Sequence, residues 1–187
     1  MRRSFNMAKK FNLIAAMSFA AAVITAVWYK IVLWEVLLTF AIIFGTIAYH
    51  LIMRLLTGLV FNNVMNNKAD VQKRWYQVGR FEMMIYEKLR VKKWSRKMPT
   101  YDTSLFDTKI HTWDEIAQAM CQAELVHETI VVLSFLPIIA GMWFGAFPVF
   151  IVTSILSAMF DTMFVLMQRY NRQRIIKMMK SQNVHYL

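Results

Sequence analysis

The chain has 187 residues, of which 58% are hydrophobic and only 18% charged. That is too much apolar surface for an ordinary soluble domain, and it falls in blocks, which predicts an integral membrane protein. The net charge of +11 is accounted for by basic segments at a membrane surface, so no nucleic-acid partner is implied.

Four apolar blocks are long enough for a helix to cross a bilayer core, which takes about 20 residues. They cover 11–28, 36–60 (with His50 and Arg54 embedded), 129–147 and 149–167. Very short turns join the first to the second and the third to the fourth. The expectation is an all-α membrane protein of one domain, 1–187: four transmembrane helices in two hairpins, with a cytoplasmic interfacial amphipathic helix and a basic loop within 61–128. Except for Lys30, every Lys and Arg lies before the first span, between Arg54 and Lys109, or after the fourth span. The positive-inside rule then puts both termini and the central segment on the cytoplasmic side of the membrane.

The basic start, the apolar run and the small residues Ala20, Ala21 and Ala22 imitate a secretory signal peptide. Apolar character continues to Trp28, which predicts an uncleaved span instead. The single Cys121 excludes an intrachain disulfide and is expected on the reducing side.

After the first hairpin, Asn62, Asn63, Asn66 and Asn67 make a polar break suited to a helix end. Val71, Trp75, Val78, Phe81, Ile85 and Leu89 then recur at spacings of three and four, predicting an amphipathic helix along the interface. Next comes a basic run, Lys88, Arg90, Lys92, Lys93, Arg96 and Lys97, punctuated by Trp94 and stopped by Pro99. Such a run attracts anionic headgroups; it also suits a phosphate-bearing cosubstrate. Beyond a polar loop at 100–110, Thr112 and Glu115 have the spacing of a capping box that opens the next helix.

On that helix Asp114, Gln118, Cys121, Glu124 and Glu128 share one side, with His127 at its seam, one turn from Glu124. A carboxylate beside an imidazole orients it and raises its basicity, so that its other nitrogen can take a proton from a hydroxyl. The same Glu-x-x-His pair also arises as an ordinary helix-surface contact. No second Glu-x-x-His is present, so a di-iron centre is excluded and no metal site is expected. Pro137 should kink the third span. Asp161 lies inside the fourth, where a carboxylate is either a functional group facing the bundle or a hydrogen-bonded interhelical contact. The chain leaves through Gln168, Arg169, Asn171, Arg172 and Arg174, whose arginines are membrane-surface anchors or phosphate grips.

Three segments in this order, Trp94-Ser-Arg-Lys-Met-Pro99, Ala123-Glu-Leu-Val-His127 and Gln168-Arg-Tyr-Asn-Arg172, resemble the glycosyl-diaponeurosporenoate acyltransferases of staphyloxanthin (carotenoid) biosynthesis. The similarity covers roughly 86–178. The resemblance implies transfer of a fatty acyl group from a thioester, acyl-CoA or an acyl carrier, to a sugar hydroxyl of a glycolipid at the cytoplasmic face, with membrane lipids as surroundings and no permanently bound cofactor. Matched by motif, Glu124 and His127 would be catalytic. Lys92, Lys93, Trp94, Arg96, Lys97, Glu128, Asp161, Gln168, Arg169, Asn171 and Arg172 would bind donor or acceptor, and the acyl chain would enter between Met- and Phe-rich spans. The chain departs from the family pattern at Gln122, where Arg is common, and around Asp161, Met163 and Phe164, where Asn and Pro-Cys are common. Another small lipid-modifying enzyme, a methyltransferase or reductase, and a non-enzymatic lipid-binding protein are the alternatives; no glycine-rich cofactor motif supports the former.

Overall fold

The computed structural model describes residues 2–98 and 104–184, without the side chains of 2–8, Arg96 and 182–184. Pro99, expected to stop the basic run, therefore lies outside the described residues. Among those described there is no strand, and four stretches are long and apolar enough to cross a membrane: Lys9–Val32, Glu35–Met65, Trp113–Phe144 and Phe147–Ser181.

Helix α1 (Arg2–Val32) packs along α2 (Glu35–Met65). The link between them is Leu33 and Trp34, and Leu33 takes a φ of 54°. Helix α2 ends in the asparagine cluster. Asn66 and Asn67 are both left-handed, and the Asn66 N–H closes on the Asn62 carbonyl. Asparagine tolerates that conformation better than other residues with a side chain, so the chain stops being helical there. Gln122 and Gln118 then accept hydrogen bonds from the backbone N–H groups of Asn67 and Ala69 at 2.7 and 3.3 Å. The linker is thereby tied to the next span.

The single amphipathic helix expected over 71–89 does not form. Instead a 3₁₀ turn at Arg74–Tyr76 is followed by extended backbone at Gln77 and Gly79, then by α3 (Arg80–Lys88), and the four-residue α4 (Val91–Trp94) comes after it. The reason is that carbonyls a helix would use internally are engaged elsewhere. Arg169 donates to the Trp75 and Gln77 carbonyls, and Arg172 to that of Tyr76. Trp75, Phe81, Ile85 and Leu89 remain exposed, whereas Tyr76, Tyr86 and Val91 are buried. Tyr86 and Val91 form a small core with Tyr170, flanked by Trp94 and Leu166.

Helix α5 (Trp113–Leu133) starts at the expected capping box. Thr112 accepts from the Glu115 N–H, and Glu115 accepts from that of Thr112. It then runs without interruption into the third span. The third span is interrupted at Pro137: α5 ends at Leu133 and α6 (Pro137–Phe144) begins at the proline. A proline cannot supply the N–H that the Leu133 carbonyl would receive four residues on. That carbonyl accepts instead from the Leu136 N–H at 3.1 Å and from the Tyr49 hydroxyl of α2 at 2.8 Å, since an unpaired carbonyl at membrane depth is costly. Gly145, at a φ of 68°, closes α6.

The last helix, α7 (Phe147–Val184), continues well past the expected end at 167. Because it stays helical through the basic exit, Asp161, Gln168, Arg172 and Ile175 are all buried along one side. Helix α5 packs against α7, and a second core joins Ile116, Ala117 and Met120 to Ile175.

Candidate functional site

Glu124 and His127 point to different partners. His127 Nδ1 lies 2.9 Å from Oδ1 of Asp161 on α7. The imidazole also stacks flat on Phe164, with centroids 4.5 Å apart and planes 8° from parallel. Hydrogen bond and stack together hold the ring's position and tilt. Among the described residues Nε2 makes no hydrogen bond, and the side chain keeps 21% exposure. This corrects the expectation that Glu124 orients His127; the carboxylate beside the ring is Asp161.

Asp161 is only 1% exposed, and its other oxygen accepts from Arg54 Nη2. Arg54 also donates to the His50 carbonyl and to Ser157 Oγ, both at 2.8 Å, and Ser157 lies 2.9 Å from Ser134 Oγ. Breaking this contact would strand a buried polar group in an apolar bundle, which holds the two side chains together. The result is one connected line from α2 through α7 to the imidazole on α5. The sequence carried a signal for Arg54, since a charge inside an apolar span is costly and marks a functional position or an interhelical contact. Its partner, however, lies 107 residues away in the chain.

Glu124 is fully buried and held by two arginines. Its Oε1 accepts from Arg169 Nη1 at 2.6 Å, and its Oε2 accepts from Arg172 Nη1. Arg172, also fully buried, has its guanidinium 5.1 Å from the Tyr76 ring centroid and donates to the Tyr76 carbonyl at 2.8 Å. Arg169 donates to Glu82 through Nε at 2.6 Å, besides the Trp75 and Gln77 carbonyls. Both arginines, expected to grip phosphate, are therefore committed to the protein. Each pins the 75–82 segment onto α5 and α7. Glu82 had no distinguishing mark in the sequence. Burial pushes its carboxyl up, but hydrogen bonds from Arg169 and Tyr86 outweigh that and hold it below its ordinary value of 4.5. Burial drives the Tyr76 phenol up to about 12, and burial with the bond to Glu82 raises Tyr86 as well.

The remaining candidate residues fall into separate places. Glu128 accepts from the Trp75 indole at 2.9 Å, beside the arginine cluster. Gln168 is buried and Asn171 half-buried on α7. Lys92 and Lys93 on α4 and Lys97 after it are exposed, and the Trp94 indole donates to the Leu89 carbonyl. The Arg96 side chain is among those not described. No group of three or more His, Cys, Asp or Glu side chains suited to a metal ion occurs among the described residues.

Chemically, a fixed imidazole with one nitrogen on a buried carboxylate and the other unengaged is suited to taking and returning a proton. Beyond His127 on the α5–α7 surface, Val131, Phe135, Ile155 and Met159 line an apolar groove of about 400 Å³. A family model described as glycosyl-4,4'-diaponeurosporenoate acyltransferase matches residues 72–181, more than half of the chain. That stretch contains Glu124, His127, Asp161, Arg169 and Arg172, but not Arg54. No match was found among curated proteins or solved structures.

Proposed function

The chain belongs to the glycosyl-4,4'-diaponeurosporenoate acyltransferase family, and from that premise we propose a membrane acyltransferase that moves a fatty acyl group from a thioester to a hydroxyl of a glycolipid. The reaction occurs at the cytoplasmic face of a bacterial cell membrane. His127 is the general base. Its Nε2 takes the proton of the acceptor hydroxyl as that oxygen attacks the thioester carbonyl. When the tetrahedral intermediate collapses, the carbon–sulfur bond breaks and the proton passes from the imidazolium to the departing sulfur. The products are the ester and a free thiol, with His127 neutral again.

Asp161 keeps Nδ1 protonated, so that Nε2 presents its lone pair, and it stabilises the imidazolium while that exists. Arg54 holds the other oxygen of Asp161 and so fixes the carboxylate against the ring. Lys92, Lys93 and Lys97 attract the phosphates of the donor. The groove along Val131 and Phe135 takes an acyl chain. The arginine cluster on Glu124 holds the segment 75–82 in place, a positioning role.

The 2.9 Å contact between His127 and Asp161 is the observation that carries this reading. Purified protein in lipid vesicles, supplied with acyl-CoA and glycolipid, should produce acylated glycolipid. His127→Ala should abolish it in protein that a melting curve shows to be folded. Full activity in that variant would remove His127 from the mechanism.

A further inference from the structure

Away from the His127 centre, toward Lys30, the two halves of the bundle part around a cavity of about 750 Å³. One wall is α1 and α2, the other α6 and the start of α7. Short side chains at Ala22, Ala26, Ala41, Gly45 and Ala140 make the room. The volume lies within the range of roughly 300–1,000 Å³ in which proteins enclose small ligands.

The polarity of the walls is graded. At the inner end Thr46 Oγ1 already donates to the Ile42 carbonyl, and the Tyr49 hydroxyl to that of Leu133. These groups offer little to water, and cavities with apolar walls stay dry unless an apolar guest fills them. At the outer end stand Tyr29 and the exposed Lys30. Lys30 is the sole basic residue between the first and second spans, and it makes no ion pair among the described residues. An apolar slot with one ammonium at its membrane-surface end complements an amphiphile with an acyl chain and a negative headgroup.

We infer that this cavity holds one acyl chain of an anionic membrane phospholipid, whose phosphate pairs with Lys30. The site is separate from the reaction centre. Neither His127 nor Asp161 lines it, and its inner end is closed by the Tyr49–Leu133 bond. Tyr49 stands about 7.5 Å along α2 from Arg54, at 1.5 Å per residue. The lipid wedges α6 away from the α1–α2 pair without taking part in acyl transfer.

The test uses the full chain in phosphatidylcholine nanodiscs containing a small share of phosphatidylglycerol with a photoactivatable diazirine on one chain. Illumination should label 22–45 and 136–144. An excess of plain phosphatidylglycerol should displace the label severalfold better than phosphatidylcholine. Lys30→Ala should remove that preference, and Ala26→Phe, which fills the slot, should suppress labelling with either lipid. Label spread evenly over lipid-facing residues such as Val152 and Leu156 would overturn the inference. So would equal displacement by the two lipids, or an unchanged preference in Lys30→Ala. Displacement by acyl-CoA or glycolipid instead would make the slot part of the reaction site and equally refute it. The labelling pattern of the unaltered protein decides the matter even where a variant does not fold.

Discussion

His127 Nδ1 and Asp161 Oδ1 meet at 2.9 Å across the α5–α7 interface, 34 residues apart in the chain. In the proposed reaction this bond sets which nitrogen carries the proton. Asp161→Asn keeps the size of the side chain but lets an amide donate to Nδ1, which moves the ring proton to Nε2. Acyl transfer should fall by about 10²–10⁴, the span that general acid–base catalysis supplies. The check is the rate of ester formation alongside a melting curve. A wild-type rate in a folded Asp161→Asn protein would exclude Asp161 from positioning the base.

Glu124, with Arg172, is a structural pair in this geometry, since neither side chain is exposed. Removing one partner of a buried pair costs about 3–5 kcal/mol; here that is an upper limit, because Arg169 still donates to Glu124. Arg172→Met should therefore lower the melting temperature sharply in detergent. The double variant Glu124→Gln with Arg172→Met should recover much of the loss. If Arg172→Met instead melts normally and only raises the KM for acyl donor, the arginine grips phosphate after all.

The Glu82 carboxyl is held below its ordinary value of 4.5 by Arg169 and Tyr86. A group with a depressed folded-state pKa contributes stability that is complete at neutral pH, above the unfolded value, and is lost as pH falls through the folded value. The melting temperature should thus drop between pH 5 and acid conditions, by an amount reduced by the partial exposure of Glu82. Glu82→Gln should be less stable than wild type at neutral pH and should show a shallower acid decline. Parallel melting curves for the two proteins from pH 7 to pH 3 would contradict this.

Tyr49 and Pro137 are coupled through the Leu133 carbonyl. Tyr49→Phe alone should cost about 0.5–1.5 kcal/mol, the net worth of one hydrogen bond. Pro137→Ala restores an N–H four residues after Leu133, so in that background Tyr49→Phe should cost less. A double-mutant cycle by thermal unfolding reads the difference, and strictly additive effects would exclude the coupling.

Gly141 of α6 lies directly against the Phe147 ring of α7. A Cβ built there meets the Phe147 ring at 2.6 Å. Gly141→Ala should destabilise by about 1–3 kcal/mol, the usual cost of overpacking. Phe147→Leu in the same chain should return part of it. Unchanged melting of Gly141→Ala would show that the ring moves aside freely.

Much of this molecule follows from local sequence. Span lengths, the asparagine stop after α2, the Thr112–Glu115 cap and the interruption at Pro137 depend on hydropathy, backbone conformational preference and a missing N–H, all of which act within a few residues. The candidate base His127 was legible for the same reason, as an ionisable group beside an apolar run. Its partner was not. Glu124 is three positions away on α5, which turns it about 60° around the helix from His127 at 3.6 residues per turn. At that angle the two side chains address different neighbours, Arg169 and Arg172 for one and Asp161 for the other. The same holds for Arg54 with Asp161, and for the carbonyls of 75–77 that turn outward to meet two arginines and end the expected amphipathic helix. Those outcomes depend on how α2, α5 and α7 are rotated and packed. Buried charges take whichever opposite charge that packing brings within reach, so only the tertiary structure decides between a carboxylate one turn away and one 34 residues distant.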